Sequence, residues 1–235
     1  MKAKAKSQSK APIVISVGGS LLVPDEIDTT FLASFKSFVD GEIKKGNRFI
    51  IVCGGGRVCR KYQNAAKLVG NKRASDIDWL GIHATRLNAQ LVKTIFLPKA
   101  EEIVVHDPFD KTVKFNKPVL VAAGWKPGWS TDFDAVCLAK RYKAKKLINL
   151  SNIDYVYTAD PRTNPDARKI EKITWKEFRS LIPKKWDPGL SAPFDPIASK
   201  EAHESGIEVA VINGDKLEGI QKFIKGEEFV GTLIH

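Results

Sequence analysis

The sequence predicts an α/β fold with a largely parallel central sheet, and two observations predict it. Short, β-branched apolar runs alternate with longer stretches of helical periodicity along the whole chain. Glycine-rich turns follow directly on early strands, at Gly18-Gly19 and again at Gly54-Gly55-Gly56. In open sheets of this kind ligands bind beyond the carboxyl ends of strands, where these glycines fall.

The elements follow in order. Ile13–Val17 is a buried strand feeding a glycine turn. Asp28 offers a helix N-cap; Phe31, Phe35, Phe38, Val39 and Ile43 repeat behind it at helical spacing, and Gly46 ends the helix. Phe49–Cys53 is a second buried strand, followed by the triple glycine and a polar amphipathic helix over 57–69. The longest helical pattern spans 76–97, with Ile77, Leu80, Ala84, Leu87 and Leu91 on one face. Strands are predicted at 103–105 and Val119–Ala122, a Gly/Pro/Trp loop at 123–132, a helix at 132–142 and a strand at 146–150. Residues 151–170 are turn-rich and read as loop. Helices at 174–181, 195–205 and 217–224, with strands at 208–212 and Thr232–Ile234, complete the chain.

Composition bounds the function. The 235 residues suffice for one large domain or two small lobes with a real core. No apolar run approaches the ~20 residues that cross a bilayer. The basic start MKAKAKSQSKAP has no apolar run behind it and reads as a disordered tail over 1–12, not a secretory signal. A cytoplasmic protein is expected, with no membrane partner. Cys53, Cys59 and Cys137 lack any C-x-x-C spacing, which argues for reduced packing residues and against disulfides or zinc. The net charge is +11, part of it from the tail lysines. Basic residues are scattered and not interleaved with aromatics, so the charge suits small anions better than nucleic acid.

Several residues point to phosphate chemistry. Gly18, Gly19 and Ser20, and likewise Gly55 and Gly56, stand where glycine permits a tight turn and close backbone approach, next to helix N-termini whose N–H groups bind phosphate. Neither string matches GxxxxGK[ST] or GxGxxG, which excludes the P-loop and dinucleotide fingerprints. Arg60 lies one turn into the helix after the triple glycine and adds charge to the same anion site. Trp125, Lys126, Pro127, Gly128, Trp129, Ser130 and Thr131 form a loop whose tryptophans are either packing anchors or a stacking platform. Ser130, Thr131 or Asp132 caps the next helix.

The string Ser151-Asn152-Ile153-Asp154-Tyr155-Val156-Tyr157-Thr158-Ala159-Asp160-Pro161 resembles the T-N-V-D-G-V-Y-T-A-D-P signature of the amino acid kinase superfamily. The resemblance extends from about Ile13 to Ile234, through GGSLLVPDEID, CGGGRVCRKY, DWLGIHATRLNA, GWKPGWSTD and FDPIASKEAHESGI. The archaeal-type UMP kinases match best, sharing the GGS-x-L-V-P opening, the aspartate three residues before a helix glycine (Asp78 before Gly81) and the P-G-x-[ST]-T-D loop.

That resemblance implies a three-layer αβα sandwich of the amino acid kinase type, with an acceptor lobe over 13–143 and an ATP lobe over 144–235. It implies an ATP- and Mg²⁺-dependent nucleoside monophosphate kinase making UDP from UMP for pyrimidine biosynthesis, assembled as a homohexamer. Gly18, Gly19, Ser20, Gly56, Arg60, Ser151, Tyr157 and Asp160 would hold ATP. Gly55, Asp78 and the loop 125–131 would hold UMP. Arg60, Asp195 and Lys200 would serve catalysis, with no metal ligand from the protein. The superfamily's lysine two residues before the first glycine pair is Ser16 here. Tryptophans replace the expected threonine and histidine at 125 and 129, and Tyr155 replaces a usual glycine. The serine fits the archaeal-type subgroup and leaves the transition-state cation unassigned, while the two tryptophans admit another small phosphate or carboxylate acceptor on the same fold, such as isopentenyl phosphate. Molybdenum-storage proteins share the fold, but their cages use histidines, and this chain has four. His83 reads as a helix-face residue, not an acceptor ligand.

Overall fold

Strand residues alternate between two apolar layers. Along β1 (Ile13–Val17), Ile13, Ile15 and Val17 join one core and Val14 the other. The computed structural model describes residues 11–70, 73–184 and 192–235. The predicted basic tail thus lies outside the described residues except for Ala11 and Pro12. After β1 come α1 (Gly19–Leu22), α2 (Thr29–Lys44), β2 (Phe49–Cys53), α3 (Gly56–Val69), α4 (Ala74–Phe96), β3 (Ala100–Val105) and β4 (Val119–Ala122). The second half holds α5 (Thr131–Arg141), β5 (Lys146–Ser151), β6 (Val156–Tyr157), β7 (Lys169–Ile170), β8 (Lys172–Ile173), α6 (Trp175–Leu181), α7 (Pro196–Glu204), β9 (Glu208–Asn213), α8 (Leu217–Lys225) and β10 (Thr232–Ile234).

Eight strands form one sheet in the order β3-β4-β2-β1-β5-β9-β10-β8, while β6 and β7 pair separately. Every pairing in the large sheet is parallel except β9 with β10. Parallel sheets need cover on both faces, and both are covered. Phe31, Phe35 and Val39 of α2, Val92 and Phe96 of α4, and Ile220 and Phe223 of α8 fill one layer. Phe133, Val136 and Leu138 of α5, Trp175 and Phe178 of α6, and Ala198 and Ala202 of α7 fill the other. This is the three-layer αβα sandwich. β1 and β5 stand side by side at its centre, so the glycine turn after β1 and the signature segment after β5 emerge together.

Local chemistry fixes the helix ends. Asp28 Oδ1 accepts from Phe31 N at 2.8 Å, a cap of the kind that contributes about 1 kcal/mol. Ser130, not Asp132, caps α5 by accepting from Phe133 N, so that helix begins at Thr131. The buried face of α4 is Ile77, Ile82, Ala84, Ala89, Val92 and Phe96; the predicted stripe was rotated, since Leu87 is 68% exposed. The four-residue α1 and the two-residue strands β6, β7 and β8 went unpredicted, being shorter than any period can reveal. Tyr155 takes no positive φ, so replacing glycine there carries no left-handed strain. The three cysteines are free.

Candidate active site

The two glycine turns interlock backbone against backbone. A Cβ on Gly19 would stand 1.9 Å from Gly56 N and 2.6 Å from Gly54 C. Gly56 has φ 69°, which glycine adopts without cost. Gly18 N donates to Leu150 O at 2.8 Å and Gly54 N to Val17 O at 2.9 Å, anchoring the turns on the sheet. Buried Asn88 of α4 donates from Nδ2 to Gly54 O at 2.8 Å, a contact that periodicity could not reveal. α3 starts at Gly56 and carries Arg60, exposed, on the same side.

These turns head a cleft of about 640 Å³. Its walls bring together Gly18, Gly19, Ser20, Gly55, Gly56, Arg60, Asp78, Trp129, Ser130, Thr131 and Ser151, drawn from six separate stretches of the predicted site. A second cavity of about 660 Å³ adjoins it, walled by Tyr155, Tyr157, Asp160 and Asn213. Ser151, Asn152, Arg162, Ala192 and Pro193 line both. The Arg162 guanidinium makes two hydrogen bonds to Asp160, at 3.0 and 2.8 Å, its backbone N–H adds a third at 3.0 Å, and together these hold the Asp160 carboxyl down at about 2. Arg162 was missed in the sequence because it follows the signature string.

The loop between β4 and α5 is tied to two helices. Gly128 N donates to Asp78 Oδ2 at 2.7 Å, and Gly124 N donates to Thr85 Oγ1 at 2.8 Å. Arg86 Nη2 donates to Trp125 O at 3.1 Å, and Trp125 N to Asp134 Oδ2 at 3.1 Å. Burial raises the pKa of Asp78, and the Gly128 bond opposes that rise. Aromatic packing decides the tryptophan question for Trp125: its ring meets Phe109 edge-on at 5.1 Å, and Lys126 Nζ lies 3.9 Å from its centroid, so it is an anchor. Trp129 stacks on Phe133 at 4.2 Å and also lines the cleft.

Beneath the cleft lies a cluster of acids. Ser16 Oγ donates to Asp132 Oδ1 at 2.9 Å, and Asp195 N donates to Asp132 Oδ2 at 3.3 Å. Desolvation, with the Asp195 charge, pushes Asp132 up to about 6. Asp134 is pushed up to about 8 by burial. Asp195 is raised by burial too; its Oδ1 caps α7 through Ala198 N at 2.6 Å. Among the described residues no three His, Cys, Asp or Glu side chains gather as a metal site.

Six predicted site residues stand off the cleft wall: Lys200, Asp195 and the loop residues Trp125, Lys126, Pro127 and Gly128. Lys200 points into solvent from α7, 61% exposed, and faces Glu204 at 3.8 Å one turn on, so it brings no charge to the cleft. Trp125, Lys126 and Pro127 are not on the cleft wall, because Trp125 turns toward Phe109 and carries its neighbours with it. Asp195 lies behind the cleft wall, 5% exposed, and meets it through Asp132 and Ser130. His83 is an exposed helix-face residue beside Trp79.

The sequence model of the Amino acid kinase family matches residues 11–213. The chain belongs to the amino acid kinase family. Within it, the chain is 34% identical over 225 residues to a uridylate kinase of Thermococcus sibiricus, covering 94% of this chain and 98% of the relative. It is 35% identical to that of Pyrococcus abyssi with the same coverage. The uridylate kinase structure from Archaeoglobus fulgidus superposes with a TM-score of 0.80 at 32% identity, over 95% of this chain and 100% of that one. A UMP kinase from Bacillus anthracis, at 20% identity and TM-score 0.77 over 96% of each chain, shares the fold.

Proposed function

We propose that this amino acid kinase transfers the γ-phosphoryl group of ATP to UMP, giving ADP and UDP for pyrimidine nucleotide synthesis. The observation that carries the reading is a pair of cavities meeting at shared residues, headed by two interlocked glycine turns. Two nucleotides must lie end to end for in-line transfer, and two joined compartments suit that need. Near-full-length similarity to uridylate kinases supports UMP as acceptor.

ATP lies with its adenosine among Ser151, Tyr157 and Asp160 and its phosphates against Gly18, Gly19, Ser20, Gly56 and Arg60. UMP takes Gly55, Asp78 and the wall formed by Trp129, Ser130 and Thr131. Mg²⁺ arrives as part of the substrate Mg-ATP. The protein contributes placement and charge cancellation by backbone N–H groups and arginine, and no covalent intermediate is needed. Asp132 and Asp195 form the floor beneath the transferring group. No helix among the described residues is long and apolar enough to cross a membrane, and we place the reaction in the cytosol. We read the chain as a homohexamer; Leu68 and Val69, 88% and 91% exposed at the end of α3, suit a contact between copies.

The test is ADP release from Mg-ATP with UMP, CMP, dTMP, AMP, N-acetylglutamate, aspartate and isopentenyl phosphate as acceptors. Strong turnover with UMP alone is expected. Turnover of another acceptor with none of UMP would reassign the compartment that Trp129 lines and keep the ATP half.

A further inference from the structure

We propose that Arg86 is a positioning residue that fixes the acceptor loop through the carbonyl of Trp125. The proposal rests on the reading that this loop receives the acceptor. Asp78, Thr85 and Arg86 stand seven and eight residues apart on α4 and so share one helix face. Each holds a different backbone atom of one loop: Gly128 N, Gly124 N and Trp125 O. Only Arg86 donates.

The surroundings of the guanidinium make this more than a surface contact. Its Nε is buried with no partner, and burial lowers its pKa. An arginine without a task would turn that group into water, since an unsatisfied buried donor is costly. The ring of Trp79, one turn before Ile82 on the same helix, lies 5.5 Å from the guanidinium carbon and holds it toward the loop. The peptides flanking Trp125 are thus gripped from two sides, the N–H by Asp134 of α5 and the carbonyl by Arg86 of α4. Asp78, the group assigned to the acceptor's ribose, also ties the loop at Gly128. Only Oδ2 makes that tie, so hydroxyls taking Oδ1 share the carboxylate's accepting capacity with it. Retention of the loop then leans more on Thr85 and Arg86. The residues carried beyond that anchor are Trp129, Ser130 and Thr131, which wall the cleft.

The experiment uses the full chain and whichever acceptor of the panel it turns over fastest, with both substrates varied. Arg86→Met should raise the acceptor KM about 10-fold, the equivalent of one charge-assisted hydrogen bond at 1.4 kcal/mol per factor of ten. The ATP KM and kcat should stay within about twofold, because neither the glycine turns nor the donor cavity is touched. Arg86→Lys should recover part of the loss, since an ammonium can still donate to the carbonyl. Trp79→Leu should raise the acceptor KM about threefold in the same direction. Equal rises in both KM values, or an unchanged acceptor KM, would overturn the proposal. If Arg86→Met does not fold, the lysine and Trp79 variants decide by the same criterion. A preferred acceptor other than UMP would refute the UMP reading and leave this test intact; no turnover of any acceptor by the unsubstituted chain would refute both.

Discussion

In Gly19→Ala the new methyl carbon would stand 1.9 Å from Gly56 N and 2.6 Å from both Gly54 C and Gly56 Cα. All three are backbone atoms, which have no rotamer to change. An ordinary carbon contact is about 3.5 Å or more, so the two turns must part by roughly 1.5 Å. Overpacking a core that side chains can relieve costs about 1–3 kcal/mol, and here relief must move two strand ends, so at least about 3 kcal/mol is expected. For a chain of this size that lowers Tm by roughly 6–12 °C. Activity should fall further than stability. On the proposed reading these turns hold phosphate, and displacing their N–H groups by about 1 Å costs on the order of 100-fold in turnover. The control is Gly41→Ala in α2, where a Cβ meets nothing within 4 Å. That change should gain about 0.5–1 kcal/mol by helix propensity alone. Urea midpoints and steady-state kinetics on both variants make the comparison. An alanine at position 19 with the parent's midpoint and turnover would refute the interlocked-turn account.

Two further changes test other parts of the cleft. Asp78→Asn should raise the UMP KM about 10-fold and leave the ATP KM within about twofold, because the amide loses one charged acceptor while still able to receive Gly128 N; equal effects on the two substrates in initial-rate assays would remove Asp78 from the acceptor site. Asp134→Asn should flatten the pH dependence of stability. The Asp134 carboxyl sits at about 8 in the fold against an ordinary 3.8, so between those values the folded chain holds a proton that the unfolded chain has released. Stability contributed there falls as pH rises from about 4 to about 8, and the amide should narrow or remove that decline in urea midpoints taken across the window. An identical slope in parent and variant would show that Asp134 does not titrate there.

What the sequence revealed and what it hid have physical reasons. β1, β2, β4 and β10 lie within a residue of where apolar runs bounded by glycine or polar clusters put them, because strands buried on both faces leave an unbroken signal. α4 was legible as a helix but its face was turned: Asp78, Thr85 and Asn88 lie on the buried side because they bind loop backbone, and a polar residue with that task reads as solvent-facing. The glycine turns, Arg60, Asp78 and Ser151 were predicted and do converge on one cleft. Lys200 was predicted from a charge near the transferring group, yet helix phase sends it outward. Arg86, Asn88 and Arg162 act through single backbone or carboxylate partners distant in space or just past a motif, and no spacing rule points to them.

Ser16 gives the cleft a floor of unusual charge. A serine hydroxyl brings no charge to this position and can donate only one neutral hydrogen bond, which it gives to Asp132. Three acids, Asp132, Asp134 and Asp195, then share a poorly hydrated space with no cation among the described residues paired to them, and all three are raised. The floor reduces its negative charge by holding protons. Asp134, at about 8, remains neutral near pH 7, and Asp132, at about 6, ionises before it as pH rises. On the proposed reading, a floor so poised offers incoming phosphates less repulsion than three carboxylates would, and what remains falls to the glycine N–H groups, Arg60 and the metal carried with ATP. That reading puts the positive charge of the reaction on the turn and helix side of the cleft and the protonated support on the strand side.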